Sequence, residues 1–262
     1  MKRTPILSLP EWLPESIVHF AKGATVYDSS CSPEARVLFI DKGEGFYLKR
    51  AARGMLENEA KMCAYFHRIG LGVEMLSYLG EGEYDLMLTA RAVGEDCTHA
   101  CYLDDPKRLS VTIGERLRML HECDASLCPV QDRMTPYFAL AEENYRSGNY
   151  DSSHFPDSFG YRCAADAYAV MTAGRNSLRD RVLLHGDYCL PNIILDQWQF
   201  SAFIDLGTGG VGDRHVDLFW GAWTLFFNLG TDAYRDRFLD AYGRDKVDEE
   251  KLRIVAAAEV FG

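Results

Sequence analysis

LLHGDYCLPNIILDQWQFSAFIDLG, the sequence of residues 183–207, places two apolar runs around three polar side chains. Asp187 follows the first run, Asn192 comes five residues later, and Asp205 ends the second run. Phosphoryl transfer from a nucleotide needs these residue types, because one carboxylate orients an attacking hydroxyl and accepts its proton. The amide and the second carboxylate are suited to hold Mg²⁺ on the phosphates. The stretch therefore predicts an ATP-dependent phosphotransferase.

Each of these side chains also has a purely structural interpretation. Asp187 alone is compatible with a turn aspartate that binds its own backbone. Asp205 alone is compatible with a salt bridge, although a carboxylate at the end of a buried strand costs several kcal/mol without a partner. The three together, at fixed offsets, favour catalysis by Asp187 and metal binding by Asn192 and Asp205.

Lys49 gives a second indication of nucleotide binding. It follows Phe46-Tyr-Leu in a predicted strand, where an inward-facing ammonium requires a partner. In kinases a strand lysine of this kind binds phosphates and pairs with a helix glutamate. Glu59 lies one turn before Cys63, on the predicted core side of the next helix, and is the expected partner. The alternative is an exposed lysine on an edge strand.

Composition limits the class of protein. The 262 residues are 47% apolar and 26% charged, which is typical of a globular chain, and the net charge is −11. This charge opposes binding to nucleic acid or anionic membranes and suits a cationic small substrate, although solubility alone also explains it. The N-terminus does not resemble a signal peptide, and the apolar run 218–229 is too short to span a membrane. We expect a cytoplasmic protein with no membrane partner.

The cysteines do not predict disulfides. The eight cysteines are scattered through apolar segments without a CxxC motif, so we interpret them as free thiols that act as small hydrophobic side chains. Two groups were weighed as zinc ligands, namely Cys97, His99 and Cys101, and His121, Cys123 and Cys128. Their spacings match no common zinc site.

Strand and helix patterns divide the chain into two parts near Val93-Gly94 and predict the α+β class. Residues 1–93 are predicted to be rich in strands with one helix: strands 36–40, 46–49, 74–79 and 84–89, and helix 55–69. Residues 94–262 are predicted to be mainly helical: a strand pair within 182–206, a helix starting at Ser110, and helices over 136–145, 161–176, 217–229, 232–242 and 249–261.

The chain resembles the aminoglycoside phosphotransferase family, and most closely its branch that modifies a 3′-hydroxyl. The resemblance covers nearly the whole chain and is carried by these motifs: His185-Gly-Asp187-x4-Asn192, Phe203-Ile-Asp205-Leu-Gly207, Asp213-Arg-His-Val-Asp217-Leu, Leu117-Arg-Met-Leu120-His121, Ser32-Pro-Glu-Ala-Arg-Val37 and Tyr47-Leu-Lys49. It implies a protein-kinase-like fold with two lobes, ATP or GTP with Mg²⁺, and resistance through phosphorylation of a cationic aminoglycoside.

The resemblance also implies roles for individual residues. Asp187 is the implied catalytic base, and Asn192 and Asp205 are the implied Mg²⁺ ligands. The implied nucleotide-binding residues are Lys49 on the α- and β-phosphates, Glu59 holding Lys49, Ser32 in a phosphate-covering loop, and Thr89 and Ala92 beside the base. Asp217 and His185 are expected to fix the catalytic loop. The implied acceptor-binding residues are Asp151, Asp157, Glu259 and Phe261.

The chain departs from the family pattern at two places on the acceptor side. Thr208 stands where the 3′ branch usually has arginine, and Ala258-Glu259 keeps one acid where that branch has two. The regiochemistry therefore stays open. The alternatives are a related kinase for a macrolide, choline, homoserine or sugar, a nucleotide-binding module without turnover, and a metal-dependent hydrolase, for which the chain has no second histidine motif.

Overall fold

The structure is a computed structural model and describes residues 3–31, 33–150 and 161–262. The chain divides into two compact units. The first takes in the chain up to Glu95 together with Ile194–Gly207, and the second comprises Asp96–Ile193 and Thr208–Gly262. The division expected from the sequence is continuous, at residues 93 and 94, whereas the first unit is built from two separate parts of the chain.

Strands dominate the first unit and helices the second. The strands are β1 (Thr4–Pro5), β2 (Thr25–Asp28), β3 (Ala35–Asp41), β4 (Phe46–Ala52), β5 (Met75–Glu81), β6 (Tyr84–Ala90), β7 (Glu95–Asp96), β8 (Val182–Leu184), β9 (Ile193–Asp196), β10 (Gln199–Phe203) and β11 (Gly210–Gly212). The helices are α1 (Glu15–Ala21), α2 (Glu57–Arg68), α3 (Ala100–Leu103), α4 (Pro106–His121), α5 (Met134–Ser147), α6 (Ala164–Gly174), α7 (His215–Leu229), α8 (Arg235–Tyr242) and α9 (Glu249–Glu259).

An antiparallel sheet of order β1-β2-β3-β4-β6-β5 forms the centre of the first unit. The predicted β3-β4 hairpin is confirmed, and Gly43 and Gly45 in its turn have positive φ angles of 60° and 91°. Lys49 in β4 lies opposite Val37 in β3 and Met87 in β6. The sheet thus places Lys49 on a central strand.

Helix α2 packs its predicted face into the first unit. Ala60, Cys63 and Phe66 are buried, as their helical spacing indicates. The helix α1 was not expected, since the sequence pattern predicts a single helix in this part of the chain. Its residues Ile17 and Ala21 are buried against the apolar side chains of the sheet.

The second unit is mainly helical, with helix α4 against α8, and α9 against both α6 and α7. Helix α4 begins at Pro106, so the predicted start at Ser110 is wrong. The Asp105 carboxylate accepts a hydrogen bond from the Arg108 backbone N–H and caps the helix, and proline suits its first turn. Ser110 is instead a buried residue inside the helix.

Strand β8 pairs with β11, which the sequence analysis did not identify because Gly-Val-Gly lacks a strand pattern. The predicted α+β class is confirmed. Within the described ranges, no helix has both the length and the apolar character needed to cross a membrane.

Candidate active site

Lys49, Glu59 and Asp205 meet within the first unit. The Lys49 ammonium donates to Glu59 Oε2 at 2.8 Å and to Asp205 Oδ1 at 2.7 Å. Strand β4 supplies the lysine, α2 supplies the glutamate, and the residue two positions after β10 is the aspartate. The predicted pairing of Lys49 with Glu59 is confirmed.

The surroundings of this cluster control its charge. Burial opposes the charge on Lys49, but the carboxylates of Glu59 and Asp205 outweigh it and raise the lysine pKa. Burial also raises the pKa of Glu59, and the Lys49 ammonium opposes that change. Lys49 is therefore held as a cation, with its charge directed between two carboxyl groups.

Asp205 has an unusual backbone conformation. Its φ angle is +59°, a left-handed value that is uncommon outside glycine and is concentrated at functional sites. The Asn58 side-chain amide donates to the Gly207 carbonyl at 2.5 Å and holds the chain just after Asp205. The Asp205 side chain is 51% exposed, so its carboxylate is open to a further ligand while it binds Lys49.

Three further predicted nucleotide residues belong to the first unit. Thr89 is buried at the end of β6 opposite Tyr47, and Ala92 is partly buried two residues after that strand. Ser32 lies outside the described residues. The chain that flanks it is held by the Ser30 hydroxyl, which accepts a hydrogen bond from the Val37 backbone N–H at 2.9 Å.

Asp187 and Asn192 meet within the second unit. The Asn192 side-chain amide donates to Asp187 Oδ2 at 2.9 Å and to the Asp187 backbone carbonyl at 3.0 Å. This arrangement turns the amide oxygen of Asn192 away from Asp187. Asp187 is partly buried and Asn192 is buried, so the pair is fixed without being closed to a substrate.

The loop that carries Asp187 is held in place by the buried side chain of Asp217. The buried Asp217 carboxylate accepts from the backbone N–H groups of His185 at 2.8 Å and Gly186 at 2.7 Å. His121 lies 3.1 Å from the same carboxylate through Nε2 and 2.9 Å from the Tyr242 hydroxyl through Nδ1. Asp217 thus has the structural role expected of it.

Gly186 is required by the shape of this loop. Its φ angle is +87°, and a Cβ atom there would lie 2.0 Å from the Thr208 carbonyl oxygen. A side chain is therefore excluded both by backbone conformation and by contact with Thr208.

Glu259, a predicted acceptor-binding residue, lies at the end of α9 in the second unit. Its Oε1 accepts hydrogen bonds from the Tyr137 hydroxyl at 2.8 Å and the Trp220 indole N–H at 3.1 Å. Burial raises the pKa of Glu259 to about 7, despite these two donors, and the negative charge of Asp187 adds to the effect. This side chain therefore changes its charge near neutral pH.

The other predicted acceptor-binding residues are Asp151, Asp157 and Phe261. Asp151 and Asp157 lie outside the described residues. Phe261 is fully buried, with its ring against Tyr145, Tyr150 and Tyr168, so it offers a ligand no surface and belongs to the core.

Tyr137, Trp220 and Arg133 are site residues that the sequence analysis missed. Tyr137 and Trp220 bind Glu259, and Arg133 donates to the Thr208 carbonyl at 2.8 Å. The Arg133 guanidinium therefore contacts the backbone of Thr208, one of the two positions at which the chain departs from the family pattern. None of the three belongs to a motif. The sequence predicts only that Tyr137 and Trp220 are helical, and Arg133 immediately precedes α5.

The described residues contain no cluster of the cysteines and histidines weighed as zinc ligands. The one group of metal-ligand type found in these ranges is Asp180, Asp213 and His215. The Asp248 backbone N–H donates to His215 Nε2, so the ring proton lies on Nδ1 and faces Asp213 at 2.6 Å. Both ring nitrogens are engaged, and the group is structural.

Sequence comparisons find relatives over most of the chain. A family model described as the phosphotransferase enzyme family matches residues 28–255. A probable aminoglycoside 3′-phosphotransferase of Lactococcus lactis subsp. lactis (strain IL1403) is 50% identical over 252 residues, which cover 96% of each chain. An aminoglycoside 3′-phosphotransferase of Niallia circulans is 31% identical over 193 residues, which cover 73% of each chain.

Solved structures show the same fold. A crystal structure of an aminoglycoside-3′-phosphotransferase of type VIII matches with a TM-score of 0.77 and 23% identity, over 92% of this chain and 94% of that one. An aminoglycoside phosphotransferase of Streptomyces rimosus, solved with ADP and streptomycin, matches with a TM-score of 0.74 and 22% identity, over 86% of this chain and 90% of that one. The predicted α+β fold of the protein-kinase type is confirmed.

Proposed function

Since the chain belongs to the aminoglycoside phosphotransferase family, we propose that it transfers the γ-phosphoryl group of ATP to the 3′-hydroxyl of an aminoglycoside. The resemblance drawn from the sequence motifs is thereby confirmed at the level of the family. The 50% identity to a probable 3′-phosphotransferase supports the choice of hydroxyl. The observation that carries the reaction type is the Asp187–Asn192 pair on a loop that Asp217 fixes.

Lys49 is the proposed ligand of the α- and β-phosphates of ATP or GTP. Its ammonium is held by Glu59 and Asp205, so it is in place before the nucleotide arrives, and less entropy is lost on binding. We assign the loop around Ser32 to the phosphates, and Thr89 and Ala92 to the base. These three assignments rest on the family resemblance, and the first unit is the proposed nucleotide-binding lobe.

Asn192 and Asp205 are the proposed Mg²⁺ ligands. The residues fit such an ion, since the Asn192 amide donates to Asp187 and leaves its oxygen for a cation, and the Asp205 carboxylate is half-exposed. The ion, when bound, would neutralise the developing charge on the phosphates. The protein supplies oxygen ligands of the kind that Mg²⁺ prefers.

Asp187 is the proposed catalytic base. It would orient the acceptor hydroxyl and take its proton, while the hydroxyl oxygen bonds to the γ-phosphorus and the bond to the ADP oxygen breaks. Positioning and charge neutralisation supply most of the rate enhancement in such reactions. The amide of Asn192 fixes the Asp187 carboxylate in one orientation for this purpose.

Glu259 is the proposed binding group for an ammonium of the acceptor. A carboxylate and an ammonium form charge-assisted hydrogen bonds, and the net charge of −11 draws polycations toward the chain. Asp151 and Asp157 stay proposed partners for other ammonium groups. The product would carry a phosphate on a drug that binds RNA through positive charge, which explains resistance. We place the reaction in the cytoplasm and propose no nucleic-acid partner.

Two matched drugs test the proposal. Kanamycin B and tobramycin differ only in the 3′-hydroxyl, which tobramycin lacks. We expect ATP and Mg²⁺ to yield a phosphorylated kanamycin B and unmodified tobramycin, as read by mass spectrometry. Phosphate on tobramycin would refute the 3′ assignment, and a panel of choline, homoserine, macrolides and sugars would reveal a different acceptor if neither drug reacts.

A further inference from the structure

Helix α7 carries a row of three aromatic rings that begins at Glu259. The first, Trp220, donates its indole N–H to Glu259 Oε1 at 3.1 Å. The second, Trp223, meets Trp220 edge to face with ring centroids 5.3 Å apart, and the third, Phe227, stacks on Trp223 at 4.9 Å and 14°. The spacings of three and four residues place all three rings on one side of the helix. Trp220, Trp223 and Phe227 are called the aromatic row below.

The aromatic row is partly open to solvent. Phe227 is 66% exposed, and the two tryptophans are partly exposed. The Trp223 Nε1 atom is buried, and in the described parts of the chain it has no hydrogen-bond partner. A contiguous exposed apolar surface and a buried donor without a partner are both uncommon, and both are typical of binding sites.

We propose that the aromatic row binds the sugar ring of an aminoglycoside that lies farthest from the reacting hydroxyl. This inference rests on the proposed function and extends it to the part of the drug that is not phosphorylated. Aromatic faces attract ammonium groups and the apolar C–H faces of sugar rings, and cation–π attraction is strongest for tryptophan. An aminoglycoside carries both ammonium groups and sugar rings, so both of its chemical features suit an aromatic surface.

The position of the aromatic row within the second unit supports this occupant. The row starts at Glu259, which binds Tyr137, and Tyr137 lies about one helical turn after Arg133. Arg133 donates to the Thr208 carbonyl, which lies against Gly186, the residue before Asp187. These contacts connect the first ring to the loop of Asp187. The last ring of the row, Phe227, lies two turns further along α7, about 10 Å from Trp220 along the helix. This distance suits a drug with several rings, with one ring at Asp187 and another over Trp223 and Phe227.

The aromatic row also accounts for a departure from the family pattern. The 3′ branch has two acids near the C-terminus, whereas this chain has Ala258 before Glu259. Ala258 is only 1% exposed, so a carboxylate there would face the core of this protein. In this chain the rings therefore offer attraction for ammonium groups at a place where a second acid is missing.

Variants of the aromatic row test the inference. We expect Phe227→Ala and Trp223→Ala to raise the KM for neomycin, which has four rings, by about tenfold. The KM for neamine, which has only the two rings nearest the reacting hydroxyl, is expected to stay unchanged, as are kcat and the KM for ATP. Phe226→Ala is the matched control, since Phe226 is exposed on the same helix but projects about 100° away from Phe227.

The possible outcomes separate the inference from the proposed function. If the wild-type protein phosphorylates no aminoglycoside, the proposed function fails. If it does so and Phe227→Ala leaves the KM for neomycin unchanged, the inference alone fails. A concentration-dependent dimer that Phe227→Ala abolishes, with an unchanged KM, would assign the row to a second copy of the chain. Because Phe227 is largely exposed, Phe227→Ala is expected to fold, and a circular-dichroism melt checks this.

Discussion

Asp187 is the single residue on which the proposed chemistry depends most directly. In Asp187→Asn, an amide oxygen still accepts from Asn192, but the side chain no longer takes a proton. We expect kcat to fall by about 10²–10⁴-fold, while calorimetry shows unchanged affinity for ATP. Asp124→Asn is the control, because Asp124 is an exposed residue of the same unit that accepts hydrogen bonds from the backbone N–H and the hydroxyl of Ser126. Retention of most of the activity in Asp187→Asn would exclude Asp187 as the base.

The raised pKa of Glu259 predicts how the stability of the protein depends on pH. Its pKa of about 7 in the folded protein exceeds the ordinary value of 4.5, so between these values the folded state binds more protons than the unfolded state. The free energy of unfolding therefore falls as pH rises through this window. Glu259→Gln keeps acceptors for Tyr137 and Trp220 without a titrating group. We expect the variant to gain stability relative to wild type between about pH 5 and about pH 8.

Urea denaturation at the two pH values measures this difference. Equal shifts of the unfolding midpoint for wild type and Glu259→Gln would show that Glu259 titrates as an ordinary carboxyl. Tyr137 is not expected to contribute, because burial and the neighbouring Glu259 hold its pKa well above the ordinary tyrosine value.

The sequence predicts some contacts between individual side chains and not others. The Lys49–Glu59 pair follows from a strand lysine and the first turns of the next helix, two elements that are adjacent in the chain. The Tyr137–Glu259 bond joins residues 122 positions apart on helices without a motif, so no local pattern identifies it. Phe261 was expected to face a ligand because of the resemblance, whereas its burial depends on packing that the sequence does not display.

The loop between β8 and the turn at Leu190–Asn192 is the element on which Asp187 depends. In Gly186→Ala a Cβ atom meets the Thr208 carbonyl at 2.0 Å, in addition to the strain of a positive φ. Gly230→Ala is the matched control, because Gly230 also has positive φ, at 64°, but no atom within 4 Å. We expect the control to lose about 1 kcal/mol of unfolding free energy and Gly186→Ala to lose several.

Chemical denaturation and the rate of phosphoryl transfer measure the two glycine variants together. We expect Gly186→Ala to lose transfer activity at temperatures where it is still folded, since the loop must shift to admit the new methyl group. Equal losses of stability in both variants would show that the contact with Thr208 relaxes freely.

Elements with strong periodicity were predictable, and elements set by tertiary contacts were not. The β3-β4 hairpin and helix α2 follow from alternation, turn glycines and helical spacing. The turn between β9 and β10 has Gln197 and Trp198 at positive φ, without the glycine that usually marks such turns. Strand β11 forms because β8 offers it backbone partners, which a Gly-Val-Gly sequence does not reveal.

Over the whole molecule, nucleotide binding should appear as added thermal stability. A ligand that binds only the folded state at 100 times its Kd adds about 2.7 kcal/mol. We expect ATP with Mg²⁺ to raise the melting temperature of wild type but not of Lys49→Met. The control, Lys61→Met, removes an exposed lysine that pairs with Glu57 on α2, and it should respond like wild type.

Lys49→Met also leaves the buried Glu59 carboxylate without its cation, which should lower the melting temperature without nucleotide. The double variant Lys49→Met/Glu59→Gln removes the unpaired charge and should recover part of that loss while still failing to respond to ATP. If Lys49→Met responds to ATP as wild type does, Lys49 does not bind the phosphates.

The discontinuous first unit has a consequence for biosynthesis. Asp205 lies 156 positions after Lys49, and the segment Ile194–Gly207 completes the first unit only when it is translated. A nascent chain halted before Ile194 has made almost a hundred residues of the second unit but lacks part of the first. On the ribosome, Glu59 is therefore available to Lys49 long before Asp205 emerges. The two units of this chain cannot mature one after the other in simple N-to-C order.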